Sequence, residues 1–426
     1  YGPFILVIAF TSVMAMRMGL GWKEIQQAIL SSLQSVLQAL LILIMVGMVI
    51  STWIQGGIVP SLIYYGLRMI HPNIFLVTIF LVCSICAVAT GSSWTIIGTL
   101  GIAAIGISQG IGIPVYITAG IVVSAAYFGD KLSPLSDTPN LHCAIVGVNL
   151  FENFKNVLRN TLPSYFIALI LCVVVGLCYQ TENGGSLSEI QLMTETLAEN
   201  FVISPWLILP VLSVFAVILL KIPAIPGILF MAFIGAFCGI FVQGETIAAV
   251  MKTAYSGFVG NTEVEMVNSL LSRGGILSMM PTVLLIFCAV SYGGVLEVSG
   301  ILQFFLERMM RFVKKDETLI TLTVISCVVV NLFAMDNYVT AVICGNMFQD
   351  AYVERGLSPL NLTRCLAEST SVVSPLIPWN TCGIVVFGML GISPLQYGPY
   401  AFLCWLAPIM VILLSHWKIG LVYLEK

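Results

Sequence analysis

The stretch GDKLSPLSDTPN, Gly129–Asn140, places two aspartates, a lysine and two prolines within twelve residues of a chain that is otherwise very apolar. Pro134 and Pro139 each remove a backbone N–H and hinder a continuing helix, so we predict a helix break here. Apolar sequence precedes the break directly. At membrane depth, the freed backbone groups must face protein, water or a bound ion. The stretch therefore predicts a site as well as a break.

The composition of the 426-residue chain places it in a membrane. It is 59% hydrophobic and 9% charged, whereas soluble domains carry about 25% charged residues. Its mean hydropathy is +1.03. Apolar runs long enough for spanning helices recur, and they lack the alternation of a membrane barrel. They are Pro3–Leu20, Ala39–Ile54, Ile74–Ala89, Ile113–Tyr127, Pro163–Cys178, Pro205–Leu220, Ile222–Phe241, Leu277–Val290, Leu319–Phe333 and Ala401–Leu414. The predicted fold class is an all-α polytopic membrane protein.

Charge and cysteine content exclude several other functions. The net charge is −3 and basic residues form no patch, so nucleic acid is not an expected partner. Most of the twelve cysteines fall inside apolar runs, where a thiol packs as a small hydrophobe. Cys83 and Cys86 have CxxC spacing, but no second pair accompanies them, which favours packing over metal or redox chemistry. We expect no cofactor and no enzymatic activity.

The two halves of the chain resemble one another. Ser133–Leu135 and Ser374–Leu376 both read SPL, and weaker similarities flank them in the same order. Internal repeats of this kind are typical of secondary transporters. We predict a first repeat over residues 1–180, a linker over 181–204 and a second repeat over 205–426. The second half starts with two apolar spans and the first half with one, so we expect a further helix before Tyr1.

The charged loops indicate the orientation of the two repeats. The segment 181–200 has four glutamates and no Lys or Arg, which places the linker outside the cytoplasm. A cytoplasmic loop in the second half is marked by Arg308, Arg311, Lys314 and Lys315. In the first half the basic residues Lys155 and Arg159 lie instead in a loop whose counterpart in the second half carries no charge. Because this bias changes ends between the halves, we predict inverted repeats in the cytoplasmic membrane.

The second SPL element lies in STSVVSPLIPWNTCG, Ser369–Gly383, which also contains two prolines. Paired proline-interrupted segments at matching positions indicate the central site of a transporter. The alternative is that both are ordinary polar loops at the membrane surface, which the mirrored SPL disfavours. The candidate ligands in the two segments are Asp130, Ser133, Ser136, Asp137, Thr138 and Asn140, and Ser374, Asn380 and Thr381.

Other ionisable groups lie within apolar sequence, where charge is costly and therefore indicates function. Asp336 is the strongest of these, flanked by Asn331 and Asn337, and Glu368 leads into the second break. The position that matches Asp336 in the first half is GSSWTIIGT, Gly91–Thr99, which predicts another break with Ser92, Ser93 and Thr95 as candidates. Lys131 is expected to pair with Asp130 or Asp137, or to be displaced by a cation. A structural role is expected for His142.

These motifs resemble the NhaC-type Na⁺/H⁺ antiporter family of the ion transporter superfamily. The resemblance rests on AAYFGDKLSPLSDTPNL, ATGSSWTIIGTLGIAAIGI and SVVSPLIPWNTCG, and it covers nearly the whole chain. It implies inverted repeats with re-entrant hairpins, discontinuous helices and elevator-type motion, which is compatible with a homodimer. The chain departs from the family pattern SDTTNLAPA at Pro139 and at His142–Cys143. Members exchange Na⁺ for H⁺ or move small carboxylates or amino acids.

The predicted function is exchange of Na⁺ for H⁺ by alternating access. Asp137 or Asp130 is expected to bind the two ions in turn, with Asp336 as the second candidate, and Asp137→Asn should abolish Na⁺-dependent proton flux. The alternative is a Na⁺-coupled carrier of a small organic anion or amino acid, with Asn140, Asn380 and Ser92 facing the solute. An intramembrane aspartyl protease is disfavoured because neither aspartate lies in the expected GxGD or YD pattern. A channel is disfavoured by the paired breaks.

Overall fold

The computed structural model of the chain describes residues 2–69, 72–133, 136–183, 187–210, 222, 224–301, 304 and 315–424. Within these ranges the regular structure is helical, apart from one antiparallel bridge between Leu357 and Tyr423. Several residues used in the sequence analysis fall outside them. These are Tyr1, Pro134, Leu135, most of the predicted span Pro205–Leu220, and Arg308, Arg311 and Lys314 of the predicted cytoplasmic loop.

The first two hundred residues form ten described helices with a π-helical turn, Ile97–Gly101, between the fifth and sixth. They are α1 Gly2–Arg17, α2 Trp22–Gln55, α3 Ile58–Met69, α4 Pro72–Thr90, α5 Ser93–Ile96, α6 Ile102–Gly110, α7 Val115–Leu132, α8 Asp137–Val146, α9 Leu150–Asn183 and α10 Leu187–Asn200. The predicted linker 181–204 thus contains the end of α9 and all of α10.

The rest of the described chain forms ten further α-helices. They are α11 Ala224–Phe241, α12 Ile247–Ser256, α13 Glu265–Leu271, α14 Ile276–Val298, α15 Asp316–Ala334, α16 Asn337–Glu354, α17 Leu360–Leu366, α18 Thr381–Leu390, α19 Pro394–Tyr397 and α20 Phe402–His416. A second π-helical turn, Ala367–Ser371, continues α17, and a short 3₁₀ turn follows at Ser374–Leu376.

The helix boundaries recur at a constant spacing. Helices α4 and α15 begin at residues 72 and 316, which are 244 positions apart, and both contain 19 residues. Helices α8 and α18 begin at residues 137 and 381, again 244 apart, and both contain 10 residues. Each of these two ends at a glycine with positive φ, Gly147 at 76° and Gly391 at 71°, a conformation that glycine adopts without the usual Cβ penalty. This spacing differs by three from the spacing of 241 between the SPL elements.

Four helical stretches in the described ranges are long and apolar enough to cross a bilayer. They are Val36–Gln55, Leu150–Tyr179, Ile276–Val298 and Asp316–Ala334. Two bent pairs meet the same test, Leu360–Leu376 with Thr381–Leu390 at 45° and Pro394–Tyr400 with Phe402–His416 at 60°. The protein is therefore an integral membrane protein.

The helices pack into two neighbouring sets. In the first, α1, α11, α12 and α14 pack against α2 or against one another, and Trp53 Nε1 on α2 donates to Met231 O on α11 at 2.8 Å. In the second, α4 lies along α7 and α9, while α16 packs against α8 and α15, and α20 packs against α9. Three of the helix interruptions described below lie among the helices of this second set, and the fourth precedes α18, which packs against α14 of the first set.

Candidate functional site

Four interrupted helices provide the framework of the site. In the first half, the chain breaks between α4 and α5 at Gly91, whose φ is +65°, and again between α7 and α8. In the second half, it breaks between α15 and α16 at Met335, whose φ is +60°, and between the π turn and α18. A positive φ is strained for methionine, so the packing around it must hold this break.

Asp130 lies where the two breaks of the first half meet. It is in the last turn of α7 and only 7% exposed. Ser93 Oγ, from the first turn of α5, donates to Asp130 Oδ2 at 3.1 Å. Ser136 Oγ, the N-cap of α8, donates to Asp130 Oδ1 at 2.6 Å and also accepts from the Thr138 amide. One buried carboxylate therefore joins three helix ends.

The two breaks of the second half are joined mainly by amide groups. Asn331, fully buried near the end of α15, donates from Nδ2 to Ser374 Oγ at 2.9 Å and accepts at Oδ1 from Asn380 Nδ2 at 2.8 Å. The amide of Thr381 donates to Met335 O at 2.8 Å. Asn380 in turn caps α18 by accepting from the Cys382 amide. Polar groups freed by one break thus satisfy those freed by the other.

Asp336 is fully buried and caps α16. Its Oδ1 accepts from the amides of Tyr338 and Val339, at 2.9 and 3.1 Å. Its Oδ2 accepts no hydrogen bond within the described part of the chain. A buried carboxylate oxygen without a partner is costly, so this atom is suited to bind a proton or a cation.

Contacts between the halves bring the four breaks together. Tyr338 Oη, just after the α15–α16 break, donates to Asp137 Oδ2 at 2.7 Å at the more exposed side of the cluster. Lys131 Nζ, at the end of α7, pairs with Glu368 Oε2 at 2.5 Å. On the same π turn, the Thr370 hydroxyl lies 3.3 Å from His142 Nε2. The two halves are therefore joined by contacts at or next to their breaks.

The remaining predicted residues lie around this cluster. Thr95 Oγ1 donates to Ser92 Oγ at 2.9 Å, which closes the start of α5. Ser133 is fully buried beside Asp130, and Asn140 donates to Ser136 O from an exposed position. Asn337 is buried, and its Oδ1 lies 3.7 Å from Cys382 Sγ.

Two expectations about the first break are wrong. Pro139 does not interrupt a helix, because it lies in the first turn of α8, where the backbone N–H has no partner within the helix and proline is tolerated. Lys131 pairs with neither Asp130 nor Asp137. It pairs with Glu368, whose other oxygen accepts from Thr161 Oγ1 at 2.6 Å, so that both charges are buried and matched.

The sequence analysis left Asn331, Thr161 and Tyr338 out of the candidate site. Asn331 had a signal, since it is an amide within the apolar run before Asp336. Thr161 and Tyr338 had none, because a threonine or tyrosine in a membrane helix is ordinary. Over the described residues, no group of three or more His, Cys, Asp or Glu side chains is arranged to hold a transition metal. The site offers instead carboxylate, hydroxyl and carbonyl oxygens, which suit Na⁺.

Comparison with known proteins identifies the family of the chain. The Na⁺/H⁺ antiporter family matches residues 3–138 and 125–419. An uncharacterized Na⁺/H⁺ antiporter of Haemophilus influenzae is 37% identical over 99% of this chain and 91% of its own. The malate-2H⁺/Na⁺-lactate antiporter of Bacillus subtilis is 37% identical over 93% of this chain and 84% of its own. The Na⁺/H⁺ antiporter NhaC of Alkalihalophilus pseudofirmus is 34% identical over 98% of this chain and 90% of its own.

These relatives are antiporters, and each is matched over most of both chains. The resemblance seen in the motifs around Asp130 and Ser374 is therefore confirmed over the full length. The chain belongs to the NhaC-type Na⁺/H⁺ antiporter family.

Proposed function

We propose that this protein exchanges Na⁺ for H⁺ across the cytoplasmic membrane by alternating access. The observation that carries the proposal is Asp130, a buried carboxylate at the meeting point of two broken helices. Its two oxygens each face a serine hydroxyl. A hydroxyl can turn to donate to a carboxylate or to present its lone pairs to a cation. Asp130, Ser93 and Ser136 are thus proposed as one Na⁺ site.

Antiport requires that Na⁺ and H⁺ exclude one another at this site. A carboxylate in a low-dielectric interior is unstable as a bare charge. Either a bound proton or a bound sodium ion compensates that charge, so that the carboxylate binds one ion at a time. Alternate exposure of Asp130 to the two sides would then carry the ions in opposite directions. Asp336 is proposed as a second ion-binding carboxylate, and Asp137, hydrogen-bonded to Tyr338, as a group at the more exposed side.

We further propose that the halves are inverted repeats that move as an elevator. The constant spacing of 244 residues between the equivalent starts of α4 and α15, and of α8 and α18, supports the repeats. The separation of the helices into two packed sets supports movement of one set against the other. A homodimer is compatible with such a mechanism.

The proposal is tested in proteoliposomes that contain a pH-sensitive dye. An inward or outward Na⁺ gradient alone should change the internal pH, with no organic solute present. Asp130→Asn keeps the shape of the side chain but replaces one acceptor oxygen by an N–H₂ donor, and it should abolish the response. Asp316→Asn is the matched control, since this partly exposed aspartate lies at the start of α15 in a pair with Arg355 at 3.6 Å. Full activity of Asp130→Asn would show that the assignment is wrong.

A second candidate function is Na⁺-coupled exchange of small organic anions. It is favoured by one observation, the 37% identity to the malate-2H⁺/Na⁺-lactate antiporter, which equals the identity to the Haemophilus protein. In this case the capped starts of α8 and α18 would face a carboxylate, and the aspartates would hold Na⁺. The same liposomes distinguish the two functions. If Na⁺ moves protons only when malate or lactate is added, the second function is correct.

A further inference from the structure

Arg364 is a buried cation whose charge is not matched by the described residues. It lies on α17, and none of its surface is exposed. Its Nη1 atom donates to Gly420 O at 2.5 Å. Within the ranges that the structure describes, its Nε and Nη2 atoms have no hydrogen-bond partner. No carboxylate oxygen in these ranges lies within 4.0 Å of its nitrogen atoms. Leaving a guanidinium buried in this way is costly.

The nearest acidic residue along the helix does not satisfy it. Glu368 follows Arg364 by one helical turn, but Glu368 Oε2 is bound by Lys131 and Glu368 Oε1 by Thr161. Neither oxygen of Glu368 lies within 4.0 Å of a nitrogen atom of Arg364. Among the described residues, no carboxylate is therefore paired directly with Arg364.

Buried amides on α9 face the same place. Asn160 is 1% exposed, and both polar atoms of its side chain lack a partner among the described residues. A Cβ built on Gly420 would lie 3.0 Å from Arg364 Nη1 and 3.8 Å from Asn160 Oδ1. Both side chains therefore approach Gly420 in the C-terminal segment. Asn156, one turn earlier on the same face of α9 and 3% exposed, also has an Oδ1 atom without a partner in these ranges.

A second cationic side chain, that of Arg159, lies near the same glycine. The same Cβ on Gly420 would lie 3.9 Å from Arg159 Cδ, and Arg159 is exposed. The C-terminal segment covers the position, because Leu424 N donates to Gly356 O and Ser358 N donates to Val422 O, both at 2.9 Å. The positive charge of the exposed Arg159 at this position attracts anions toward the buried Arg364.

We propose that Arg364 and Asn160 form a buried binding site for a small carboxylate, separate from the aspartate cluster. The Nε and Nη2 donors of an arginine are parallel and match the two oxygens of a carboxylate. Asn160 lies beside Gly420 as Arg364 does, and its amide has a donor and an acceptor without a partner among the described residues. The site does not depend on the proposed Na⁺/H⁺ exchange. An anion bound there lies one helical turn from Glu368 and so from the Lys131 ion pair.

The experiment measures thermal unfolding of the purified full chain by its tryptophan fluorescence. Potassium acetate, lactate and malate are compared with potassium chloride and potassium phosphate at equal ionic strength. At least one carboxylate should raise the unfolding midpoint in a saturable way, and chloride and phosphate should not. An equal effect of phosphate, or no saturable effect of any carboxylate, would overturn the proposal.

Two variants locate the effect. Arg364→Lys keeps the charge but loses the paired donors, so the apparent affinity should fall by at least about tenfold. Asn160→Asp places a carboxylate beside Arg364, and it should raise the midpoint without anion and abolish the anion effect. This second variant keeps the test decisive if Arg364→Lys does not fold. Arg273→Lys is the matched control, since Arg273 donates to Leu390 O at 2.9 Å elsewhere. An unchanged anion effect in Asn160→Asp contradicts the proposal.

Discussion

At the scale of single residues, the ion pair between Lys131 and Glu368 is the strongest electrostatic feature of the described structure. The side chains are 2% and 0% exposed, and their residues are 237 positions apart. Burial makes such a pair sensitive to the loss of either partner, because the remaining charge is left without compensation. The pair therefore links the end of α7, next to Asp130, to the π turn of the second half.

Replacing Glu368 by Gln should lower the free energy of unfolding by about 3–5 kcal/mol, because Lys131 is left buried without its partner. The measurement is a titration of the purified protein with a denaturing detergent. Glu317→Gln is the control, since Glu317 pairs with the exposed Lys418 at 3.9 Å. Its loss should cost less than about 1 kcal/mol. Equal effects of the two substitutions would show that the buried pair is not structurally important.

Tyr338→Phe tests the role of Asp137. The substitution removes the 2.7 Å hydrogen bond to Asp137 Oδ2 and leaves the ring in place. A typical hydrogen bond contributes about 0.5–1.5 kcal/mol, so the Na⁺ concentration for half-maximal exchange should change by about two- to tenfold. The assay is the pH response of proteoliposomes over a range of Na⁺. Tyr423→Phe in the C-terminal segment is the control, and an unchanged Na⁺ dependence in Tyr338→Phe would exclude Asp137 from ion binding.

At the scale of helices, the position of Asp130 depends on the close approach of α7 to α4. Gly129 directly precedes the aspartate, and a Cβ built on it would lie 2.3 Å from both Ala87 Cβ and Val88 N. The backbone of α4 cannot move aside to make room for a Cβ, whereas the end of a flexible side chain could. This glycine is therefore required by packing rather than by backbone conformation.

Gly129→Ala should separate α7 from α4 and move Asp130 away from Ser93. Overpacking of this kind costs about 1–3 kcal/mol, so both the stability and the Na⁺-driven proton flux should fall. Gly398→Ala is the matched control, because its Cβ would meet only Leu376 Cδ2 at an ordinary 3.7 Å. Thermal unfolding and liposome assays measure the two effects. A fully stable and active Gly129→Ala variant would contradict the packing argument.

At the scale of the whole molecule, the proposed inversion of the repeats makes equivalent positions lie on opposite sides of the membrane. Glu152 and Gln396 are such a pair, 244 residues apart near the starts of α9 and α19, and both are exposed. Lys155 and Arg159 follow Glu152, which by the positive-inside rule places that end in the cytoplasm.

Cysteines introduced singly at Glu152 and Gln396 in a cysteine-free background should react from opposite sides. A membrane-impermeant thiol reagent added to intact cells should label Gln396→Cys, and it should label Glu152→Cys only after the membrane is opened. Retained Na⁺/H⁺ exchange of each variant is the control for correct folding. Labelling of both positions from the same side would exclude inverted repeats.

The helix breaks, the membrane class and the family could be predicted from the sequence because each depends on local properties. Apolar length, the prolines at 375 and 378 and the polar run at Gly129–Asn140 all act within a few residues of where they lie. The family motifs are equally local, and the comparisons confirmed them over the full chain. Pro139 shows the limit of this reasoning, since its effect depends on whether a helix continues past it or starts at it.

Only the tertiary structure decided which charges are matched and which are not. Asp130 meets Ser93 across 37 positions, Asp137 meets Tyr338 across 201, and Glu368 meets Lys131 across 237. No spacing in the sequence distinguishes Lys131, which is paired, from Arg364, which has no ion pair among the described residues. The burial of a charged side chain and the position of its ion-pair partner both depend on the packing of helices that are distant in the sequence. In a low-dielectric interior, these two properties determine whether a charge stabilises the fold or is available to bind an ion.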